Sequence, residues 1–382
     1  MIAQSIPVES NSLFLADTPL QVLNSAVISK MNCTGESKTI LLVYCQFADS
    51  ETMVQWAKRT GYFTRVIALS PQYASVWGHR FRYIEVFLGK KFLNLNPCVL
   101  EGISDFYCSC ATEGAQEVYI RLFDENPKVK VHFYEDGTGT YTGKIFQGFY
   151  YRDTPPKGIR QRSRLAAIVK RVVSNGLFRH RGKYKVSSIY VKRPDAVLYE
   201  RSDLIKSMNS ISFLGEEALD ELSSSIHIPP RSVIVFDTVR NQSDDALSLC
   251  IDRLITLALE NGATVFVKKH PRDKVARNYP DGVYALEGVM WEALCCKSDL
   301  SDSILIGVAS TALLSPVIET GVYPVIIDLL KVVKPEAFDA EKQPYPFLEL
   351  ARKLYGRDVC RINVPASAFE AEEDLLASLG GV

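Results

Sequence analysis

Ser12-Leu13-Phe14-Leu15-Ala16-Asp17-Thr18-Pro19, followed one helix later by Lys38-Thr39-Ile40-Leu41-Leu42-Val43-Tyr44-Cys45, decides the fold. Ser12–Asp17 reads as a short apolar strand. Thr18-Pro19 then opens a helix to about Lys30, with Thr or Asp as cap and proline in the first turn. Lys38–Cys45 is apolar at successive positions, so neither face meets water, the mark of a strand inside a parallel sheet. A buried strand, a helix and a second buried strand make one βαβ unit.

The same alternation continues outward. Ser50–Arg59 reads as a helix, Arg65–Ser70 as a strand, Val76–Leu95 as a long helix, Glu117–Leu122 and Lys130–Glu135 as strands. The pattern loosens from Arg193-Pro194 to Pro229-Pro230 and restarts at Ser232–Thr238. There follow strands at Thr264–Lys269, Val283–Glu287, Ser303–Val308, Tyr323–Leu329 and Val359–Val364. Helices are expected at Asp244–Asn261, Val289–Lys297, Thr311–Thr320, Pro346–Tyr355 and Ala368–Leu379. Two such runs imply an α/β protein of two Rossmann-like domains with parallel sheets facing a central cleft. The expected divisions are a first domain over 1–195, an interdomain passage over 196–229 and a second domain over 230–382. A chain of 382 residues with 47% hydrophobic and 23% charged residues has room for two cores.

Composition also excludes classes. Residues 1–4 carry no positive charge, Leu13–Ala16 is too short for a signal core, and no apolar run spans a bilayer. Cytoplasmic residence is therefore expected. Nine cysteines, without paired zinc spacing, read as reduced thiols. Net charge is zero, yet twelve Lys or Arg fall between Lys157 and Arg193 with no acid between Asp153 and Asp195. That run predicts a solvated face or a peripheral contact with an anionic membrane or phosphate-bearing glycan. Nucleic acid is not expected, because no recognised binding module accompanies the charge.

Three segments follow apolar strands directly, and ligands of such sheets bind at the strands' carboxyl ends. In Glu135-Asp136-Gly137-Thr138-Gly139 two carboxylates point to opposite sides, and the glycines permit close backbone approach. One carboxylate can serve as general base for a hydroxyl. The bland reading is an ordinary Asp-Gly turn. Lys268-Lys269-His270-Pro271-Arg272 sets a histidine among cations at a strand tip, fit for a leaving phosphate; otherwise it is a basic surface turn. Ser310-Thr311 caps a helix, and the same hydroxyls and amides suit a phosphate. There is no Walker loop and no Asp-x-Asp metal signature.

In this order, Glu135-Asp136-Gly137, His270-Pro271 and Ser310-Thr311 resemble the motifs of bacterial sialyltransferases. The strings Glu-Asp-Gly-Thr-Gly and His-Pro-Arg, with Asp17-Thr18-Pro19-Leu20-Gln21, look most like glycosyltransferase family 52. The resemblance spans about residues 12 to 330. It implies a GT-B architecture and a soluble enzyme at or near the inner face of the cell membrane. That enzyme moves sialic acid from CMP-Neu5Ac to a terminal sugar, galactose, of lipooligosaccharide or capsule, with inversion and with no metal or other cofactor. It further implies Asp136 as the base, with Glu135 the other candidate, and His270 as acid or phosphate stabiliser. Ser310 and Thr311 would hold the CMP phosphate, and Pro271 belongs to the same donor segment. Lys268 would lie by the cytosine through its backbone, and Glu287, or in reserve Glu292, would grip the ribose. Gly137, Thr138, Thr18 and Gln21 would border the substrate. Three rivals stand beside this reading: another CMP-linked nonulosonate or nucleotide sugar as donor, a GT-B-like epimerase or hydrolase, and a non-catalytic glycan- or phosphate-binding scaffold.

Overall fold

The computed structural model describes residues 11–32, 37–45, 47, 50–70, 93–109, 112–143, 185–223, 226–237, 245–269, 279–333, 335 and 345–380. The chain divides into two compact units, Met1–Asn209 and Ser210–Val382.

The first unit contains β1 (Ser12–Ala16), α1 (Pro19–Asn32), β2 (Thr39–Tyr44), α2 (Ser50–Arg59), β3 (Arg65–Leu69) and β4 (Asp105–Cys108). It continues with α3 (Glu113–Glu125), β5 (Lys130–Tyr134), α4 (Thr138–Tyr141), β6 (Val186–Val191) and β7 (Ile205–Ser207). The strands form one parallel sheet in the order β3-β2-β1-β4-β5-β6-β7. Every residue of β1 and β2 is buried, as unbroken apolar runs require when helices cover both faces. β3, at the edge, carries Arg65 and exposes part of its length. The sequence order reverses between β1 and β4, which makes their carboxyl ends the topological switch point.

The second unit repeats the plan. It contains α5 (Glu216–Ser223), β8 (Val233–Asp237), α6 (Asp245–Glu260), β9 (Val265–Lys269), β10 (Val283–Ala285), α7 (Trp291–Lys297) and β11 (Ile304–Gly307). Then come α8 (Ser315–Glu319), β12 (Val325–Asp328), α9 (Leu330–Val333), α10 (Pro346–Tyr355), β13 (Ile362–Asn363) and α11 (Ala368–Gly380). The sheet is parallel in the order β10-β9-β8-β11-β12-β13. Val233, Val235, Val265, Val267, Ile304 and Ile306 project from it onto Ile251, Leu254 and Ile255 of α6. Each such side chain contributes about 1.5–3 kcal/mol on full burial.

Three sequence expectations are corrected. Glu117–Leu122 is not a strand but the middle of α3. The run Val118-Tyr119-Ile120 is β-like, but Ala115, Val118, Tyr119 and Leu122 recur at helical spacing and are buried. Thr112 caps this helix by accepting the Ala115 N–H at 3.2 Å, and Arg121 pairs with Glu117 one turn earlier. The strand the sheet does use here is β4, whose polar Asp105 hides its pattern. That carboxylate meets His132 Nε2 at 2.9 Å and accepts from Ser104 Oγ at 2.6 Å. The last strand is only Ile362–Asn363, preceded by a 3₁₀ turn, Gly356–Arg361. Of the expected helix Val76–Leu95, residues 76–92 lie outside the described residues, and Leu93–Leu95 is not helical.

Candidate active site

In the first unit the acidic segment leaves β5 two strands from β1, beside the start of α1. Residues Gln21 to Ser29 of α1 are all buried, polar ones included. Gln21 and Asn24 are three apart and share a helix face. Both reach the end of β5. Gln21 Nε2 donates to Asp136 Oδ1 at 2.9 Å, and Asn24 Nδ2 donates to the Glu135 carbonyl at 2.9 Å. Gln21 is itself held: its Oε1 accepts the Asp17 N–H at 2.6 Å, and its own N–H donates to Thr18 Oγ1 at 3.3 Å. The backbone N–H of Asp136 donates to Thr140 Oγ1 at 2.9 Å. Thr18, Gln21 and Asp136 thus form one cluster, with Asp136 half-buried.

The two acids have opposite surroundings. Glu135 is 2% exposed, and its Oε2 accepts from Tyr141 Oη at 2.6 Å and from the Lys192 N–H at 2.9 Å. The Lys192 ammonium lies 3.8 Å from Glu135 Oε1 and donates to Asn24 Oδ1 at 2.8 Å. Glu135 is therefore enclosed by β6, α1 and α4, and anchors the turn from inside. Gly137 makes the exit possible. Its φ of 76° and ψ of −152° fall in a region that only glycine enters cheaply. Thr138, half-buried, begins α4, and its carbonyl accepts the Thr142 N–H at 3.1 Å. Asn24, Tyr141 and Lys192 escape sequence reasoning. Lys192 is legible only as one of twelve clustered cations, yet it is buried, not part of a solvated face. Arg193 pairs with Asp195 at 3.0 Å, and residues 157–184 of the basic run lie outside the described residues.

In the second unit the carboxyl ends of β8 to β12 carry the remaining residues. Lys268 donates to the carbonyls of Leu286 at 3.0 Å and Val289 at 2.6 Å, bracing the loop after β10. Glu287 in that loop is exposed and stands 3.7 Å from Lys269 Nζ. Lys269 also lies over the Tyr279 ring at 5.8 Å, and Tyr279 Oη donates to buried Asp237 at 3.0 Å. Neither Asp237 nor Tyr279 carries a signal in the sequence. Glu292 Oε1 accepts from Ser315 Oγ at 3.4 Å, next to the hydroxyl pair. Ser310 Oγ accepts the Ala312 N–H at 3.3 Å and caps the 3₁₀ turn Thr311–Leu314. His270 and Pro271 lie outside the described residues.

Before the cap, Ala309 adopts a left-handed φ of 46°. Its N–H donates to Asp328 Oδ1 at 2.9 Å, which also accepts the Leu330 N–H at 3.1 Å. Asp328 is fully buried, and burial pushes its carboxyl up to about 6. Among the described residues no group of three or more His, Cys, Asp or Glu is placed to hold a metal ion. No described helix is long and apolar enough to cross a membrane, and the described cysteines are free thiols.

Two parallel sheets with the same 3-2-1-4-5-6 core order make two Rossmann-like units, the plan of a GT-B fold. The structure titled "Spinosyn Rhamnosyltransferase SpnG" is similar over 97% of this chain and 92% of its own, with a TM-score of 0.54 at 10% identity. The structure titled "Crystal Structure Analysis of the Glycotransferase of kitacinnamycin" is similar over 97% and 90%, with a TM-score of 0.50 at 10% identity. At that identity both show the fold alone. No curated protein matches the sequence. The chain belongs to the alpha-2,8-polysialyltransferase (POLYST) family, whose model matches residues 12–316. Membership bears out the resemblance to bacterial sialyltransferases and makes the chain a sialyltransferase-family enzyme, with a CMP-sialic acid donor and a glycan acceptor.

Proposed function

We propose that the protein transfers sialic acid from CMP-Neu5Ac to the terminal sugar of a bacterial surface glycan, lipooligosaccharide or capsule, with inversion and without a metal. The observation that carries this reading is the unequal setting of the two acids. Glu135 is enclosed, while Asp136 is half-buried and oriented by Gln21. Asp136 then removes the acceptor hydroxyl proton as the new bond forms on the face opposite the departing CMP. The sugar passes through an oxocarbenium-like state and its configuration inverts.

The leaving phosphate falls to the second unit. Ser310 Oγ, already accepting from Ala312, has its hydroxyl hydrogen to give to a phosphate oxygen, with Thr311 beside it. His270 in its basic segment supplies charge and a proton. Lys268, whose side chain is engaged with carbonyls, is assigned to the cytosine through its backbone. Glu287 or Glu292 takes the ribose. Protein cations and hydroxyls then replace the metal that other nucleotide-sugar enzymes use.

The family's name favours a second reading of the acceptor: the sugar extended is itself a sialic acid, and the product is an α-2,8-linked polymer. One assay separates the possibilities. CMP release from CMP-Neu5Ac and from other nucleotide sugars is followed with EDTA present, using no acceptor, a galactose-terminated acceptor or a sialic acid-terminated acceptor. Acceptor-dependent release from CMP-Neu5Ac supports the proposal, and the better acceptor selects the linkage class. Full-rate release without acceptor would point to a hydrolase. Donor binding without turnover on any acceptor would point to a scaffold.

A further inference from the structure

Asp328 ends β12 directly beside Gly307 of β11, its register partner. Gly307 cannot easily be larger: a Cβ there would stand 3.3 Å from the Phe236 side chain. The chain leaving Gly307 must turn at once, and it does so through Ala309 at a φ of 46°. A residue with a Cβ is costly in that left-handed region and persists only where its surroundings hold it. The described holder is Asp328. One oxygen of one fully buried carboxylate receives the N–H groups of Ala309 and of Leu330, tying the β11 turn to the start of α9. The other oxygen, Oδ2, is buried with no hydrogen-bond partner among the described residues. A buried acid left half-satisfied is expensive to keep for packing alone. What it holds is the residue immediately before Ser310.

We propose that Asp328 is a positioning residue for donor binding, clamping Ala309 in its left-handed turn so that Ser310 and Thr311 present their hydroxyls to the CMP phosphate. This rests on the phosphate role proposed above for the hydroxyl pair. Asp328 itself does not touch the donor. Asparagine at this position keeps an acceptor oxygen for both N–H groups, and alanine removes it. Glycine at 309 removes the steric reason for a clamp, because glycine enters the left-handed region without a Cβ penalty.

The test measures CMP affinity by titration calorimetry, kcat and donor KM, and the melting temperature, in the full-length chain. Asp328→Ala is expected to weaken CMP binding and raise donor KM about tenfold, the equivalent of one or two lost hydrogen bonds. Asp328→Asn should stay within about threefold of the parent. Adding Ala309→Gly to Asp328→Ala should recover part of the lost affinity. Should Asp328→Ala melt below the assay temperature, Asp328→Ser, whose hydroxyl is too short to meet both amides, carries the same expectation. A folded Asp328→Ala or Asp328→Ser with parental CMP affinity overturns the clamp; if Ser310→Ala nonetheless binds CMP weakly, the phosphate role survives that loss. Parental CMP affinity in both Ser310→Ala and Thr311→Ala removes the phosphate role and, with it, this proposal.

Discussion

Glu135 and Asp136 are chemically near-identical neighbours, but Glu135 is enclosed and Asp136 half-buried, and the proposed mechanism gives them different work. A positioned general base accounts for roughly 10²- to 10⁴-fold in rate. Asp136→Asn should therefore lower kcat by about that factor while leaving CMP affinity unchanged, a pattern read from steady-state kinetics and calorimetry together. Glu135→Ala is expected to act first on stability. It leaves the buried Lys192 ammonium without its counter-charge, and breaking a buried pair from one side costs about 3–5 kcal/mol. Urea unfolding measures this directly; a loss under about 1 kcal/mol would show that Glu135 is no anchor. Asp328 makes a prediction of opposite sign. Its folded-state carboxyl is raised to about 6 from an ordinary 3.8, chiefly by burial. The folded chain thus keeps a proton that the unfolded chain gives up, so this group's contribution to stability falls as pH rises from about 4 through 6. The hydroxyl of Tyr345 is itself pushed up by its own burial and, after that, by the charge of Asp328. Asp328→Asn removes the ionisation. Relative to the parent it should gain about 2 kcal/mol between pH 4 and pH 8, because each tenfold difference in proton affinity between folded and unfolded chains is worth about 1.4 kcal/mol. Urea midpoints at the two pH values check the sign.

Short elements aim the site. α1 is buried along Gln21–Ser29, so it can present Gln21 and Asn24 to β5 without either side chain reaching through water. Gly137 turns the chain out of β5, and α4 returns Thr140 and Tyr141 to hold both acids from below. Gly137→Ala should cost about 1–3 kcal/mol of stability through backbone strain. Since the strain sits next to Asp136, kcat should fall more than donor KM changes. The α3 cap supplies a control remote from that chemistry. Thr112→Ala loses the bond to the Ala115 N–H and should cost about 1 kcal/mol with kinetics intact.

At the scale of the whole molecule, each unit carries one parallel sheet with the same core order, and the candidate site residues described in each unit lie at or just past its strands' carboxyl ends. A ligand that binds only the folded chain raises its stability by about 2.7 kcal/mol at a hundredfold excess over Kd. CMP should thus raise the melting temperature of the parent and of Asp136→Asn alike, and much less that of Ser310→Ala. Equal CMP protection in all three would detach the hydroxyl pair from the donor. Much of this plan can be read along the chain. Unbroken apolar strands, helix caps and turn residues are local signals, so β1, β2, β8, β9, β11 and the helices between them are legible, as are the segments at their ends. β4 and α3 are not legible in this way, because Asp105 needs His132 from another strand to be tolerable in a sheet, and Val118-Tyr119-Ile120 is strand-like until its neighbours bury one helical face. The sequence alone thus determined the class of fold, since that depends on periodicity and on residues adjacent in the chain. Only the tertiary structure decided which acid is enclosed, that Lys192 is buried and not a surface cation, and that Asp328 holds Ala309. Each of those depends on burial and on a partner distant in the chain, 57 residues for Glu135 and Lys192, 168 for Lys192 and Asn24, and 19 for Asp328 and Ala309, and no local pattern encodes them.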